Sequence, residues 1–311
     1  MKPQRMIVDA GIGLRDRVLN RITGVQPEMA LNAAPYLSLP SDGFAAFPAD
    51  SDPAAALRRS MNAIRASAVD EHGRQVDYAR LRTGPEYAAY RATAAALRGF
   101  DPARLGTPAD RLAFWINLYN ALIIDAIITF DVRGSVTKTP GGALAFFNRA
   151  AYVVAGQRLS ADDIEHGILR ANRGHPFIPG PRFATRDPRR AWVLERLDPR
   201  LHFALNCASA SCPPINVYTP ERIDQQLDLA TRGFVQTEVS VAPDGSLALS
   251  PIFRWYQGDF GGRQGMLTFL KQYLPEGEPR ERLESASGSV RVRYTRYNWS
   301  LNAAGALAGA L

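Results

Sequence analysis

The stretch from Thr107 to Phe130 constrains this chain more than any other. Thr107-Pro108-Ala109-Asp110 is a strong helix start, with Thr as N-cap, Pro at the first helical position and an acid at the third. The run that follows is apolar on nearly every side. A helix without a polar face is either buried in a protein or spans a membrane. Asn117, Asn120 and Asp125 lie inside this run, and polar groups at membrane depth are costly. The sequence therefore predicts a buried central helix ending near Phe130, and no transmembrane segment.

Around that helix the remaining signals predict an α+β class. Helices are expected over 54–68, 84–98, 160–170, 219–238 and 262–274, from good helix formers and from the starts Ser160-Ala161-Asp162-Asp163 and Thr219-Pro220-Glu221. Short strands are expected at 151–155, 201–205, 239–241, 247–250 and 290–294, with a hairpin turn at Pro243-Asp244-Gly245. Long helices followed by late strands argue for a helix-rich single domain with a small, mainly antiparallel sheet, and against a doubly wound fold. The organisation read from composition is an N-terminal extension and linker over 1–54, a domain over 55–302 and a tail over 303–311. Residues 5–23 carry Ile7, Leu14, Val18 and Ile22 near a helical period with arginines between, the pattern of a basic amphipathic helix. Residues 24–55 hold five prolines and read as linker, so residues 1–50 are expected to be dispensable for folding.

A hydrophobic fraction of 46% and a charged fraction of 22% are ordinary globular values. The net charge of +7 comes almost entirely from arginine. That balance is compatible with an anionic ligand or a protein partner, but the plainer reading, a solvated arginine-rich surface, is favoured. The start shows no apolar stretch of secretory length, and two cysteines form no disulfide framework. The expected compartment is a reducing cytoplasm.

Three constellations bear chemistry. Asn117 and Asn120, three apart on the central helix, share one face; they either brace loop backbone or line a ligand site. In Asp162-Asp163-Ile164-Glu165-His166-Gly167-Ile168-Leu169-Arg170, a helical row at i, i+4, i+8 joins Asp162, His166 and Arg170. A pairing of Asp162 with His166 would raise the imidazole pKa. In Leu201-His202-Phe203-Ala204-Leu205-Asn206-Cys207-Ala208-Ser209-Ala210-Ser211-Cys212, an apolar strand is expected to enter a loop of small polar residues, a setting that suits a nucleophile. Cys207 is the candidate there. Strand alternation would turn His202 away from it, which leaves His166 as the better base. Free Cys is otherwise most often a small buried hydrophobe. Cys207 and Cys212 are also close enough in sequence to form a disulfide, against which the expected compartment argues. The histidines and cysteines are zinc-ligand types, but their spacing fits no standard zinc pattern, so no metal or other cofactor is expected.

These motifs carry a resemblance. Trp115 to Ala121, Ile164 to Arg170 and His202 to Pro213, in that order, are similar to the domain of unknown function 547 family. Phe253-Arg254-Trp255-Tyr256-Gln257-Gly258-Asp259-Phe260 and Tyr297 to Asn302 fit it as well. The resemblance covers roughly residues 55–302. Asn298 departs from it, standing where an acid is expected. It implies no settled activity, so two functional classes follow. One is a binding or scaffold module with a braced polar site, with Asn117, Asn120, His202, Ser211 and Asp259 as binding residues. The other is a thiol-dependent hydrolase or acyl transferase. There Cys207 is the nucleophile, His166 the base, and Glu165, Asp162 or Asp259 the group that orients it.

Overall fold

The computed structural model describes residues 3–26, 28–33, 36, 52–285 and 290–305. The expected tail beyond residue 305 lies outside the described residues, as does most of the expected linker. In chain order the helices are α1 (Pro3–Thr23), α2 (Pro53–Ala68), α3 (Tyr78–Thr83), α4 (Pro85–Ala96), α5 (Pro108–Thr129), α6 (Gly142–Arg149), α7 (Ile223–Glu238), α8 (Ile252–Trp255), α9 (Gly262–Tyr273) and α10 (Glu278–Ser285). The strands are β1 (Ala151–Val154), β2 (Gln157–Ser160), β3 (Val239–Val241), β4 (Leu247–Leu249) and β5 (Val292–Tyr294). The class is α+β, as the sequence predicts.

α5 starts where its cap residues place it. The Thr107 hydroxyl accepts from the Asp110 N–H at 3.1 Å, and Asp110 accepts in return from the Thr107 N–H at 2.9 Å, a reciprocal capping box. From Ala113 to Ile128 every residue is buried. By length and composition this helix could cross a membrane, yet 89% of its apolar window is enclosed by the fold. Its one buried charge, Asp125, pairs with Arg91 and accepts from the Tyr152 hydroxyl at 2.7 Å. α2, α3, α4 and the β1–β2 hairpin pack around it in a first core that includes Trp115, Tyr90 and Leu31.

A second core gathers Phe203, from the segment ahead of α7, with Phe234, Phe253, Phe260, Met266 and Leu270 from α7, α8, α9 and the residues between. β1 and β2 pair antiparallel, as do β3 and β4, and among the strands of the described residues only β4 and β5 pair parallel, so the two small sheets are mainly antiparallel. Between β3 and β4 the predicted turn forms: Asp244 accepts from the Ser246 N–H at 3.0 Å, and Gly245 takes φ 73°, a region that glycine enters without a Cβ penalty.

Three expectations need correction. Residues 201–205 are no strand; Pro199–Phe203 is a 3-10 helix. Asp198 caps it by accepting from the Arg200 N–H, and Pro at its first position suits a helical turn. Residues 163–169 do form a helix, but of the π type. Finally, packing begins well before Pro53. Leu31 is 1% exposed, and the Asn32 amide donates to the carbonyls of Ala94 and Val153 and accepts from the Val153 N–H. That piece of the expected linker is integral to the first core.

Candidate functional site

Between the two cores lies a cavity of about 300 Å³. Tyr119 and Phe147 reach it from the first core, and Ile252, Trp255 and Tyr256 from the second. His166, Glu165, Asp162, His175, His202, Cys207 and Cys212 also line it, with Phe177, Tyr297 and Trp299. Trp255, Tyr297 and Trp299 pack together as one aromatic wall, their ring centroids 4.7 to 5.7 Å apart.

The π-helix supplies the acid–imidazole pair. Ser160 caps it: its hydroxyl accepts from the Asp163 N–H, and Asp163 accepts from the Ser160 N–H. Asp163 is held well below the usual carboxylate range by Arg182 and Arg189, which outweigh its burial. Glu165 accepts from the Tyr256 hydroxyl at 2.5 Å. The expected row does form, with Arg170 Nη1 3.2 Å from His166 Nδ1 and His166 Nε2 3.7 Å from Asp162 Oδ1. Its electrostatic effect is the reverse of the expectation. Burial and then the Arg170 charge push the His166 pKa well below its ordinary value, because desolvation penalises the imidazolium more than a carboxylate at 3.7 Å rewards it. Asp162 is itself raised to about 7 by burial, so it carries only part of a charge near neutral pH.

His202 is held differently. Its Nε2 lies 2.9 Å from Asp259 Oδ2, and its ring stacks on Tyr256 with centroids 3.8 Å apart. Asp259 also accepts from Arg170 Nε at 2.6 Å and from Arg173 Nη1 at 3.2 Å. These donors keep Asp259 ionised, well below the ordinary range. An ionised Asp259 accepts the Nε2–H of neutral His202 and so leaves the lone pair on Nδ1. This is the orienter-and-base arrangement of acid–base sites. The alternation argument against His202 falls with the strand that it assumed.

The loop after His202 is tightly braced. Asn120 donates to the Ala204 carbonyl at 2.9 Å and accepts from the Asn206 N–H at 2.9 Å. Asn117 does the same for both backbone groups of Tyr218. Both amides are buried and bonded to loop backbone, away from the cavity wall. Asn206 donates to the Pro213 carbonyl and accepts from the Ala208 N–H. Ala208 sits at φ 66°, a left-handed conformation that costs a non-glycine residue roughly 1–2 kcal/mol. Cys207 thus stands just before a strained turn and is half-buried, whereas Cys212 is 4% exposed. The two are joined in a disulfide. Cys207 is therefore a thiol only in the reduced protein. The Tyr297 hydroxyl lies 3.4 Å from Cys207 Sγ and 3.0 Å from the Ser209 hydroxyl. Ser211 bonds the exposed Asn298 backbone, so this pair tethers the loop to the C-terminal segment.

The structure thus brings Cys207, His166, Glu165 and His202 to one cavity, ties Asp259 to it through His202, and leaves Asn117, Asn120 and Ser211 as loop braces. It adds His175 and the aromatic wall. His175 stands edge-on to His166, with centroids 4.9 Å apart, and burial lowers its pKa to about 4. Asp162, His166 and His175 place one donor atom each within 4.8 Å of one another, ligand types suited to a divalent cation. Their bonding does not fit that use. His166 Nδ1 accepts from Arg170, and His175 Nδ1 accepts from the Phe177 N–H at 3.2 Å. Each neutral ring then carries its hydrogen on Nε2, where a metal would need a lone pair.

Fold and site together define a helix-rich α+β domain with a cavity of imidazole, carboxyl and aromatic groups. Residues 103–235 match the family described as protein of unknown function, DUF547. That match bears out the resemblance read from the three motifs within this span, while the aromatic motifs at 253–260 and 297–302 lie beyond it. No curated protein and no solved structure matches the chain.

Proposed function

We propose that this chain binds a small organic molecule, apolar in body with one polar group, in the cavity between its two cores. The observation that carries the reading is the composition of the wall. Trp255, Trp299 and Tyr297 offer ring faces, and His166, His175 and His202 offer ring nitrogens in the same enclosure. Apolar concavities with a few convergent polar groups are the usual form of a small-molecule site. The test is titration with anilinonaphthalene sulfonate, an apolar ring system with one anionic group. Saturable single-site binding is expected, and Trp255→Ala or Trp299→Ala should each weaken it about 3- to 10-fold, the worth of a ring contact. Unsaturable binding, or binding indifferent to both substitutions, would refute the reading.

A second reading, a thiol-dependent hydrolase or acyl transferase, is favoured by one observation. Cys207 shares its cavity with three imidazoles, one of them, His202, held by an ionised carboxylate. In the reduced protein, His202 Nδ1 would take the Cys207 proton, since His166 Nδ1 already accepts from Arg170; the thiolate would attack a carbonyl carbon, and the leaving group would depart with that proton. After reduction, iodoacetamide should label Cys207 faster than Cys212, and His202→Gln should slow that labelling. Equal, slow labelling of both cysteines would exclude this chemistry.

A further inference from the structure

Among the described residues six large apolar side chains are exposed, and four of them, Val8, Leu14, Val18 and Ile22, belong to α1. Single exposed apolar residues are ordinary on a protein surface; a concentration on one element is not. Leu14, Val18 and Ile22 recur at i, i+4 and i+8, so they form a continuous stripe along one side of the helix. Their exposures are 57%, 48% and 70%. Arg17 and Arg21 are exposed and precede Val18 and Ile22 by one residue, which sets both charges along one edge of the stripe.

The stripe does not belong to a loose helix. The rest of α1 is docked: Ile12 and Thr23 on its far side are buried, Asp9 accepts from the Thr185 N–H, and Arg15, beside the stripe, donates to the carbonyls of Pro181 at 2.7 Å and Arg182 at 3.0 Å. Val8, Gly11 and Ile12 border Ile178 and Pro179 in a shallow groove.

We infer that the outer side of α1 is a docking face for an anionic lipid bilayer. A helix fixed on its inner side, with an outward apolar stripe and arginines at the stripe's edge, has the form of an interfacial helix. It lies in the membrane plane with its apolar side chains at the acyl boundary and its cations among the headgroups. The charge of the whole chain, +7, favours the same surface. This inference concerns α1 and stands apart from the reading of the cavity.

The full chain is mixed with vesicles of phosphatidylcholine alone, or of phosphatidylcholine with phosphatidylglycerol, and bound protein is separated by flotation. Binding is expected to the anionic vesicles only and to weaken with salt. The triple substitution Leu14→Ser, Val18→Ser, Ile22→Ser should abolish it, and Arg17→Glu with Arg21→Glu should reduce it by about tenfold or more. All five side chains are exposed, so circular dichroism and the thermal melt should match the parent and show that the variants fold. No vesicle binding, or equal binding to both compositions, overturns the inference. So does a concentration-dependent dimer in sedimentation velocity that the triple substitution dissolves without any vesicle binding in the parent, since the stripe would then meet a second copy.

Discussion

Replacing Asp259 with Asn keeps the shape of the side chain and removes its charge. In the parent protein this carboxylate accepts from Arg170, Arg173 and His202, and it is itself 3% exposed at the side chain. Arg170 is also enclosed, 5% exposed, and it further meets the Gly174 carbonyl, His166 and the ring face of Tyr256. Removing one member of a buried ion pair leaves the other uncompensated and typically costs about 3–5 kcal/mol. Asn retains one carbonyl acceptor, which places Asp259→Asn near the lower end of that range, at about 3 kcal/mol. With a urea dependence of roughly 1–3 kcal/mol per molar, the unfolding midpoint followed by tryptophan fluorescence should fall by roughly 1 M or more. The pH dependence adds a check. The Asp259 pKa is depressed in the fold, so its contribution is fully present above the unfolded value of about 4 and is lost as pH falls through the folded value. The difference between parent and variant should therefore be largest near neutral pH and shrink below about pH 4. A midpoint shift equivalent to under about 1 kcal/mol at neutral pH would mean that Arg170 finds other partners, and Asp259 would then not be the carboxylate on which this buried charge network depends.

Three further outcomes follow from the packing. Trp115→Ala should destabilise by about 3–5 kcal/mol, the range for a large buried aromatic, read from a thermal melt; Trp115 is 0% exposed and packs on Phe114 and Trp192. Asn120→Ala should cost about 1–3 kcal/mol or more, since it strands the Ala204 carbonyl and the Asn206 N–H in the interior, and limited proteolysis should then cut the 204–213 loop earlier than in the parent. Deleting residues 1–24 should leave a cooperative melt, whereas deleting residues 1–51 also removes Leu31 and Asn32 and should lower stability by about 2–5 kcal/mol; equal stability of the two truncations would show that the Leu31 contact contributes nothing.

What the sequence reveals, and what it hides, follows from the range of the interactions involved. α5 is legible because its cap is local and its apolar character is continuous. The two Asn residues are readable as loop braces because buried amides need partners, although Tyr218 and Ala204 as those partners are not. The segment at Leu201 misleads because Leu-His-Phe-Ala-Leu alternates like a strand. The opposing signal is also in the sequence. Asp52-Pro53, Asp101-Pro102, Asp187-Pro188 and Asp198-Pro199 each open a helical turn, with the Asp accepting from the backbone N–H two residues on. A recurrent Asp-Pro is a local start signal and outweighs five residues of alternation. The site's long-range pairs have no such signal. Asp259 lies 57 residues from His202 and 89 from Arg170, and only the fold brings them together. His175, flanked by Gly174 and Pro176, reads as loop, and nothing local marks it as part of the site.

The widened turn at Asp163–Leu169 governs which kinds of change this site can absorb. The N–H groups of Arg170 and Asn172 reach back five residues, to Glu165 and Gly167, where an α-helix would use four. The segment thus holds one residue more than a regular helix needs, and each residue of an α-helix advances the chain by about 100°. Deleting any one position between 163 and 169 would allow ordinary winding and turn the residues inside the stretch, by up to about that angle, against the neighbours they now face. His166 and Arg170 could then no longer both keep their present neighbours. Exchanges of side chain at Ile164 or Ile168 disturb packing alone, but a change of length there uncouples the imidazole from the guanidinium. Natural variation in this stretch should run to altered identity and seldom to altered length.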